Sequence, residues 1–231
     1  MKLGIMQPYF LPYIGYFQLI KMVEKFVVYD NIQFIKNGWI NRNRFLQNDK
    51  YQYFTLPLKK DSNFLDVKDR YISKSFDKKK ILNQIKGSYA KAPFFQSIFS
   101  LFEEIIFTPH ENLFDFVYAS LLKVCAYLEI ETEIIISSSI SIDHTLKSEN
   151  KVMAICQALS ATEYINLIGG IELYSKERFV ECNIKLNFLK AKLVEYKQYN
   201  NAFVPSLSIL DVLMFNSVEQ TNELLKQFEL V

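Results

Sequence analysis

The chain has 231 residues and a mass of 27.2 kDa, which suits one large domain or two small ones sharing a core. Half of it is hydrophobic and 23% is charged, a balance that excludes a disordered chain. The 27 basic and 25 acidic residues leave a formal charge of +2, so charge gives no reason to expect nucleic acid as a partner.

Lys2–Met6 reads as a short apolar strand closed by Gln7-Pro8. Residues 14–24 carry Phe17, Ile20 and Val23 at helical spacing, and 26–29 read as a second, β-branched and aromatic strand bounded by Asp30-Asn31. Strand, helix and strand within about 30 residues make a βαβ unit with parallel strands. Residues 51–58 predict a third strand, and 59–62 a solvated turn. Residues 78–86 and 94–107 are helical by periodicity, and Thr108-Pro109-His110-Glu111 predicts a helix start carrying Leu113, Phe116, Val117, Leu121 and Val124 on its core face. Roughly 75–128 therefore reads as a helical subdomain interleaved in a single 231-residue unit. Further on come a strand at Glu133–Ile136 ending in three serines, and a helix opened by Ser148 through Val152, Ile155, Cys156 and Leu159. Strands follow at 164–168, ending in Gly169-Gly170, and at 184–188, and Ser217 with Gln220 forms a capping box for the last helix. The predicted class is α/β, a mainly parallel sheet with flanking helices in a Rossmann-like or nucleotidylyltransferase-like layout.

No apolar run reaches the roughly 18 to 20 residues of a membrane helix, and the start is broken too early by Pro8 for a signal peptide. Cys125, Cys156 and Cys182 are dispersed without CxxC spacing, which predicts reduced thiols in the cytoplasm. Two isolated histidines and these cysteines offer no metal-ligand cluster, and no motif implies a cofactor. His110, expected in a first helical turn, and His144, beside Asp143 in a loop, are weak candidates.

In open α/β sheets the binding crevice lies outside the carboxyl ends of the strands. Those ends carry Gln7-Pro8, Asp30-Asn31, Ser137 to Ser139 and Gly169-Gly170. Gln7, Asp30, Asn41 and Arg42 are expected to converge there. The glycine pair, two of only six glycines, marks a place where backbone approaches a ligand closely or, alternatively, a turn with positive φ. Trp39-Ile40-Asn41-Arg42-Asn43-Arg44 places two of the four arginines beside the only tryptophan. Arginine's planar fork suits carboxylate or phosphate. On an extended segment the two arginines share one face and the asparagines the other, and Arg42 and Arg44 are expected to divide their labour between ligand and protein or solvent. Asp211, an acid among apolar residues, is either a perturbed carboxyl or a helix-end partner.

Several blocks resemble the WbqC-like protein family: residues 6–17 (Met6-Gln7-Pro8-Tyr9-Phe10-Leu11-Pro12-Tyr13-Ile14-Gly15-Tyr16-Phe17), 29–34 and 38–44. Later blocks at 89–94, 137–139, 164–174 and 203–211 agree in order. Many relatives have His where this chain has Met6, so that position supplies no general base here. The resemblance implies a role in bacterial O-antigen or other surface-polysaccharide biosynthesis. It further implies a transferase that attaches a glycyl-type aminoacyl group, or another acyl group, to a nucleotide-linked amino sugar, with the donor possibly held on a carrier protein. On this reading Gln7 and Asp30 are the catalytic candidates. Pro8, Tyr13, Asn31, Trp39, Asn41, Arg42, Arg44, Ser138, Gly169, Gly170, Tyr174 and Asp211 are the substrate-binding ones, with no cofactor, no nucleic-acid partner and no integral membrane segment. Tyr13-Ile14-Gly15-Tyr16 also resembles the HxGH layout of nucleotidylyltransferases with both histidines replaced, which weakens adenylyl transfer because those histidines stabilise phosphoryl charge. A non-catalytic scaffold of glycan assembly is a third reading.

Overall fold

The computed structural model of the chain describes residues 1–199 and 202–231. The opening unit is as the periodicity predicts: β1 (Lys2–Met6), helix α1 (Ile14–Met22) and β2 (Lys25–Val28), with the two strands parallel and Met6 opposite Val28. The segment after it differs. The expected strand at 51–58 is shorter and lies outside the main sheet. Strands β3 (Arg42–Gln47) and β4 (Lys50–Thr55) form a separate antiparallel ribbon. Its two-residue turn uses Asn48 and Asp49, both at positive φ, the geometry that matches the twist of a tight hairpin.

Three helices follow: α2 (Lys78–Tyr89), α3 (Phe95–Ile106) and α4 (Leu113–Tyr127). Thr108 is not the cap of α4. Its hydroxyl donates back to the Glu104 carbonyl at 3.1 Å to finish α3, and Asn112 caps α4 by accepting from the Asp115 amide at 3.2 Å. His110 accordingly lies in the exposed connection rather than in a helical turn. The α/β pattern resumes with β5 (Glu133–Ile136), α5 (Ser148–Ala158), β6 (Glu163–Leu167), α6 (Lys176–Glu181) and β7 (Lys185–Ala191). The chain ends with α7 (Ile209–Phe215), α8 (Val218–Leu224), started by the predicted Ser217/Gln220 capping box, and β8 (Phe228–Leu230). The short elements α6, α7 and β8 give no periodic signal in the sequence, because none is long enough to show one.

The main sheet has the order β5-β2-β1-β6-β7-β8, parallel except for the edge strand β8. Its strands bury alternate residues on two faces. Phe26, Val28, Ile165, Leu167 and Leu189 pack against α1 together with α2, α3, α4 and α7. Leu3, Ile5, Val27, Tyr164, Leu186 and Phe188 pack against α5 and α6. Phe10 meets Phe54 edge-on at 5.5 Å and Phe116 at 5.8 Å, joining the loop after β1 to the ribbon and to α4. Such ring pairs each contribute about 0.5–1.5 kcal/mol beyond their buried area. Among the described residues no helix is long and apolar enough to cross a membrane.

Candidate functional site

From β1 the chain winds outward through β2 to β5, whereas β6 and β7 lie on the other side of β1. The winding direction therefore reverses between β1 and β6, and the crevice of such a sheet opens above that point. A cleft of about 1080 Å³ lies there. Its floor is Met6 at the end of β1 with Gln7 after it, Asn31 after β2, and Asn166, Gly169 and Gly170 at the end of β6. Thr145 to Ser148, Lys151 and Val152 of α5 and its approach form one wall, and Trp39, just before the ribbon, with Asn43 and Arg44 of β3 forms another.

The ribbon reaches this position because its asparagine is fastened to the loop after β1. Asn43, on the buried face of β3, donates to the carbonyls of Phe10 at 3.1 Å and Leu11 at 2.8 Å. Leu11 stands at φ 44°, a left-handed conformation that a bulky residue rarely adopts. Its carbonyl also accepts from the Ser208 hydroxyl at 2.7 Å, so the strained residue is fixed from two sides. On the other face of β3, Arg44 lies over Tyr51 at 4.5 Å and Trp39 at 4.9 Å from the ring centres. No described residue accepts a hydrogen bond from its guanidinium or pairs with its charge.

Of the residues expected in the site, Gln7, Tyr13, Asn31, Trp39, Arg44, Gly169, Gly170 and Tyr174 line this cleft. The expected convergence of Gln7 with Asp30, Asn41 and Arg42 is not what the chain does. Asp30 is buried and turned to the end of β5, where its Oδ1 accepts from the Ser137 hydroxyl at 2.8 Å and the Ser138 amide at 2.9 Å. Ser138 thereby serves this junction with its backbone and stands outside the cleft. Asn41 donates to the Leu56 carbonyl at 2.8 Å, and Arg42 spends its guanidinium on the carbonyls of Gly38 and Asn37. Pro8 is buried behind the cleft lining. Asp211 is fully buried elsewhere, accepting from Tyr89, Tyr196 and Gln198.

Tyr13 sits at the start of α1, and burial, with the neighbouring Tyr9, pushes its hydroxyl up to a pKa of about 12, so it acts as a neutral donor and aromatic face. A Cβ on Gly15 would stand 2.4 Å from the Tyr13 ring, so only glycine admits that ring here. Tyr16, by contrast, is fully buried and donates to the Gln7 carbonyl at 2.9 Å, so it is absent from the cleft and holds the loop carrying Gln7. No described residue bonds the Gln7 carboxamide itself, which is left for a ligand.

Sequence reasoning missed Lys151 and passed over His144. Asn31 joins them: its Nδ2 donates to His144 Nδ1 at 2.9 Å, and its Oδ1 accepts from Lys151 at 3.0 Å and from Ser137 at 2.7 Å. With His144 Nε2 at 3.0 Å from the Ile140 carbonyl, this network assigns the ring proton to Nε2. Lys151 is 6% exposed, and burial lowers its pKa against the weaker pull of Asp66 and Asp30. The available signal was spacing: Lys151 stands four residues before Ile155 and beside Val152, on the stripe that faces the sheet.

Neither residue of the glycine pair has a positive φ, so the turn does not demand glycine for conformation. A Cβ on Gly169 would meet open space, while one on Gly170 would stand 2.7 Å from Asn166 Nδ2 and 3.4 Å from the Tyr174 ring. Gly170→Ala is therefore expected to lower stability by about 1–3 kcal/mol through overpacking. Gly169→Ala should leave stability unchanged or raise it by up to about 1 kcal/mol, and act only on ligand affinity. Thermal melts and ligand titrations on the same two variants check both statements; equal melting temperatures would refute the distinction.

A curated relative from Mycobacterium tuberculosis, the uncharacterized protein Rv1507c, is 28% identical over 218 residues, covering 93% of each chain. No solved structure matches significantly. Residues 7–223, from the Gln7 that floors the cleft almost to the end of α8, match the model of one family, and the chain accordingly belongs to the WbqC-like protein family.

Proposed function

We propose that this chain is a transferase of bacterial surface-polysaccharide (O-antigen-type) biosynthesis, joining an acyl or glycyl-type aminoacyl group to a nucleotide-linked amino sugar. The observation that carries this reading is Arg44, a guanidinium stacked on rings in a cleft wall with none of its donors taken by a described residue. A planar cation held in this way suits an anionic ligand that also offers a flat ring, as a nucleotide does. Asn166, the free Gln7 amide and the open space over Gly169 suit sugar hydroxyls and an acyl group.

In the proposed reaction the sugar amine attacks the donor's carbonyl carbon. The C–N bond forms as the bond to the leaving group breaks, and the amine proton departs with that group. In this proposal Gln7 donates to the carbonyl oxygen as it gains charge. Asp30 does not line the cleft and is a positioning residue: it holds Ser137, whose single hydroxyl proton lies between Asp30 and Asn31. The nucleotidylyltransferase alternative loses support from Tyr16, whose hydroxyl is buried where a phosphate-binding group is needed.

A thermal-shift screen with nucleotide-linked amino sugars, free nucleotides and acyl donors tests the proposal. A true ligand at about 100 times its Kd adds roughly 2.7 kcal/mol of stability. Stabilisation by a nucleotide-linked amino sugar, followed by a gain of one acyl mass on incubation with the donor, is the expected result. No response to any nucleotide sugar would overturn it.

A further inference from the structure

We infer that Asp66, with the carboxamide oxygen of Gln33 beside it, forms a subsite for a positively charged amino group of the ligand. This deepens the proposed function and rests on it for the identity of the whole ligand: the subsite is where the amine of the sugar is held. Free amino sugars test it independently.

The first observation is the carboxylate. Asp66 is the one acid among the described residues that line the cleft. Its side chain neither caps the turn it opens nor pairs within ion-pair range of a described cation. The charge it acts on is Lys151, on the α5 wall, and that action is through space. Lys151 donates instead to the Asn31 backbone and carboxamide oxygens, at 2.9 and 3.0 Å. A partly buried carboxylate is thus left without a donor, and a protonated amine supplies both the hydrogen bond and the charge. His144 is no competing receiver, since Asn31 occupies its Nδ1 and its Nε2 faces the Ile140 carbonyl.

The second observation is the partner and the frame. Asp66 stands opposite Gln33 across an antiparallel bridge, which sets the two side chains next to each other. Gln33 lines the cleft as well. Its Nε2 donates to the Asn63 carbonyl at 3.0 Å, so the carboxamide is oriented and Oε1 has no donor among the described residues. The backbone around the pair is fastened to the end of β2, by Phe34 to the Leu65 carbonyl at 3.1 Å and Val67 to the Ile32 carbonyl at 2.9 Å. Arg70 holds the preceding loop through the Ser62 carbonyl at 2.8 Å. Two acceptors are therefore in place before a ligand arrives, which lowers the cost of binding. One carboxylate is too little charge for a divalent cation, and no cluster of metal-ligating side chains exists among the described residues. An amine with several N–H donors fits the pair; an N-acetylated amine, neutral and with one donor, does not.

Ligand-detected NMR titration of the full chain with glucosamine and galactosamine, each matched with its N-acetylated form, tests this at about pH 6, where such amines are protonated. At least one free amino sugar is expected to bind wild type about tenfold more tightly than its N-acetylated form. Asp66→Asn should abolish that preference, and Gln33→Met should reduce it several-fold. Equal affinity of the amine and N-acetyl forms for wild type, or a preference that survives Asp66→Asn, would overturn the subsite. The wild-type comparison needs no variant, and Gln33→Met supplies the second arm if Asp66→Asn does not fold. An amine preference lost in Asp66→Asn, with no response to any nucleotide sugar, would sink the proposed function alone. A nucleotide-linked amino sugar that binds no better than its N-acetylated form, and equally well to Asp66→Asn, would sink the subsite alone.

Discussion

Asp211→Ala is expected to lower the melting temperature by about 6–20 °C, the equivalent of roughly 3–5 kcal/mol in a chain of this size. The carboxylate is fully buried and collects three donors: Tyr89 at 2.7 Å on Oδ1, and Tyr196 at 2.6 Å and Gln198 at 2.8 Å on Oδ2. Through them it ties α7 to α2 and, by the Leu46 amide on the Tyr89 hydroxyl, to β3. Alanine strands the Tyr89 and Tyr196 hydroxyl donors and leaves Gln198 Nε2 only the Val204 carbonyl, and each unmet group costs about 1–3 kcal/mol. Burial raises the Asp211 pKa although the three hydrogen bonds oppose the shift. The folded state therefore binds that proton more tightly than the unfolded chain. The linked stability is complete below the unfolded value of about 3.9 and is lost as pH rises through the folded value. Denaturant melts of wild type and Asp211→Asn across the acid range should differ by this slope, and parallel curves would contradict the assignment.

Arg44→Met is expected to raise the Kd for the nucleotide-linked ligand by about 5–150-fold, corresponding to roughly 1–3 kcal/mol for a charge-assisted contact. Arg44→Lys should recover only part of this, since an ammonium offers neither the fork nor the flat face that lies on Trp39 and Tyr51. Stability should fall by no more than about 1–2 kcal/mol, because the guanidinium makes no hydrogen bond to the described protein and loses only ring contacts. Arg42→Lys should do the reverse, loosening the 37–38 turn whose carbonyls it holds while leaving affinity alone. Isothermal titration and melts on the three variants check this; an affinity loss confined to Arg42→Lys would exchange the two roles.

The sequence by itself determined the α/β class and the central strands, because each is a short apolar run closed by turn residues and both of its faces must be buried. It also placed Gln7, Asn31 and Gly169-Gly170 at strand ends, which follows from where those runs stop. What it left open was the neighbour of each polar group. Asp30 and Asn31 are adjacent in sequence and both reach the Ser137 hydroxyl, yet only Asn31 also lines the cleft, where Lys151 and His144 meet its carboxamide. Arg42 and Arg44 share a face of β3, but only Arg44 reaches the cleft, because Asn43 fastens the ribbon to the Phe10 and Leu11 carbonyls at that point. Lys151 looks solvated in a helix full of polar residues and becomes a buried cation only when α5 packs against the end of β2. Local sequence sets where a strand or helix starts and stops; whether a charged side chain there meets water, protein or ligand is set by the elements packed over it, and those come from distant parts of the chain.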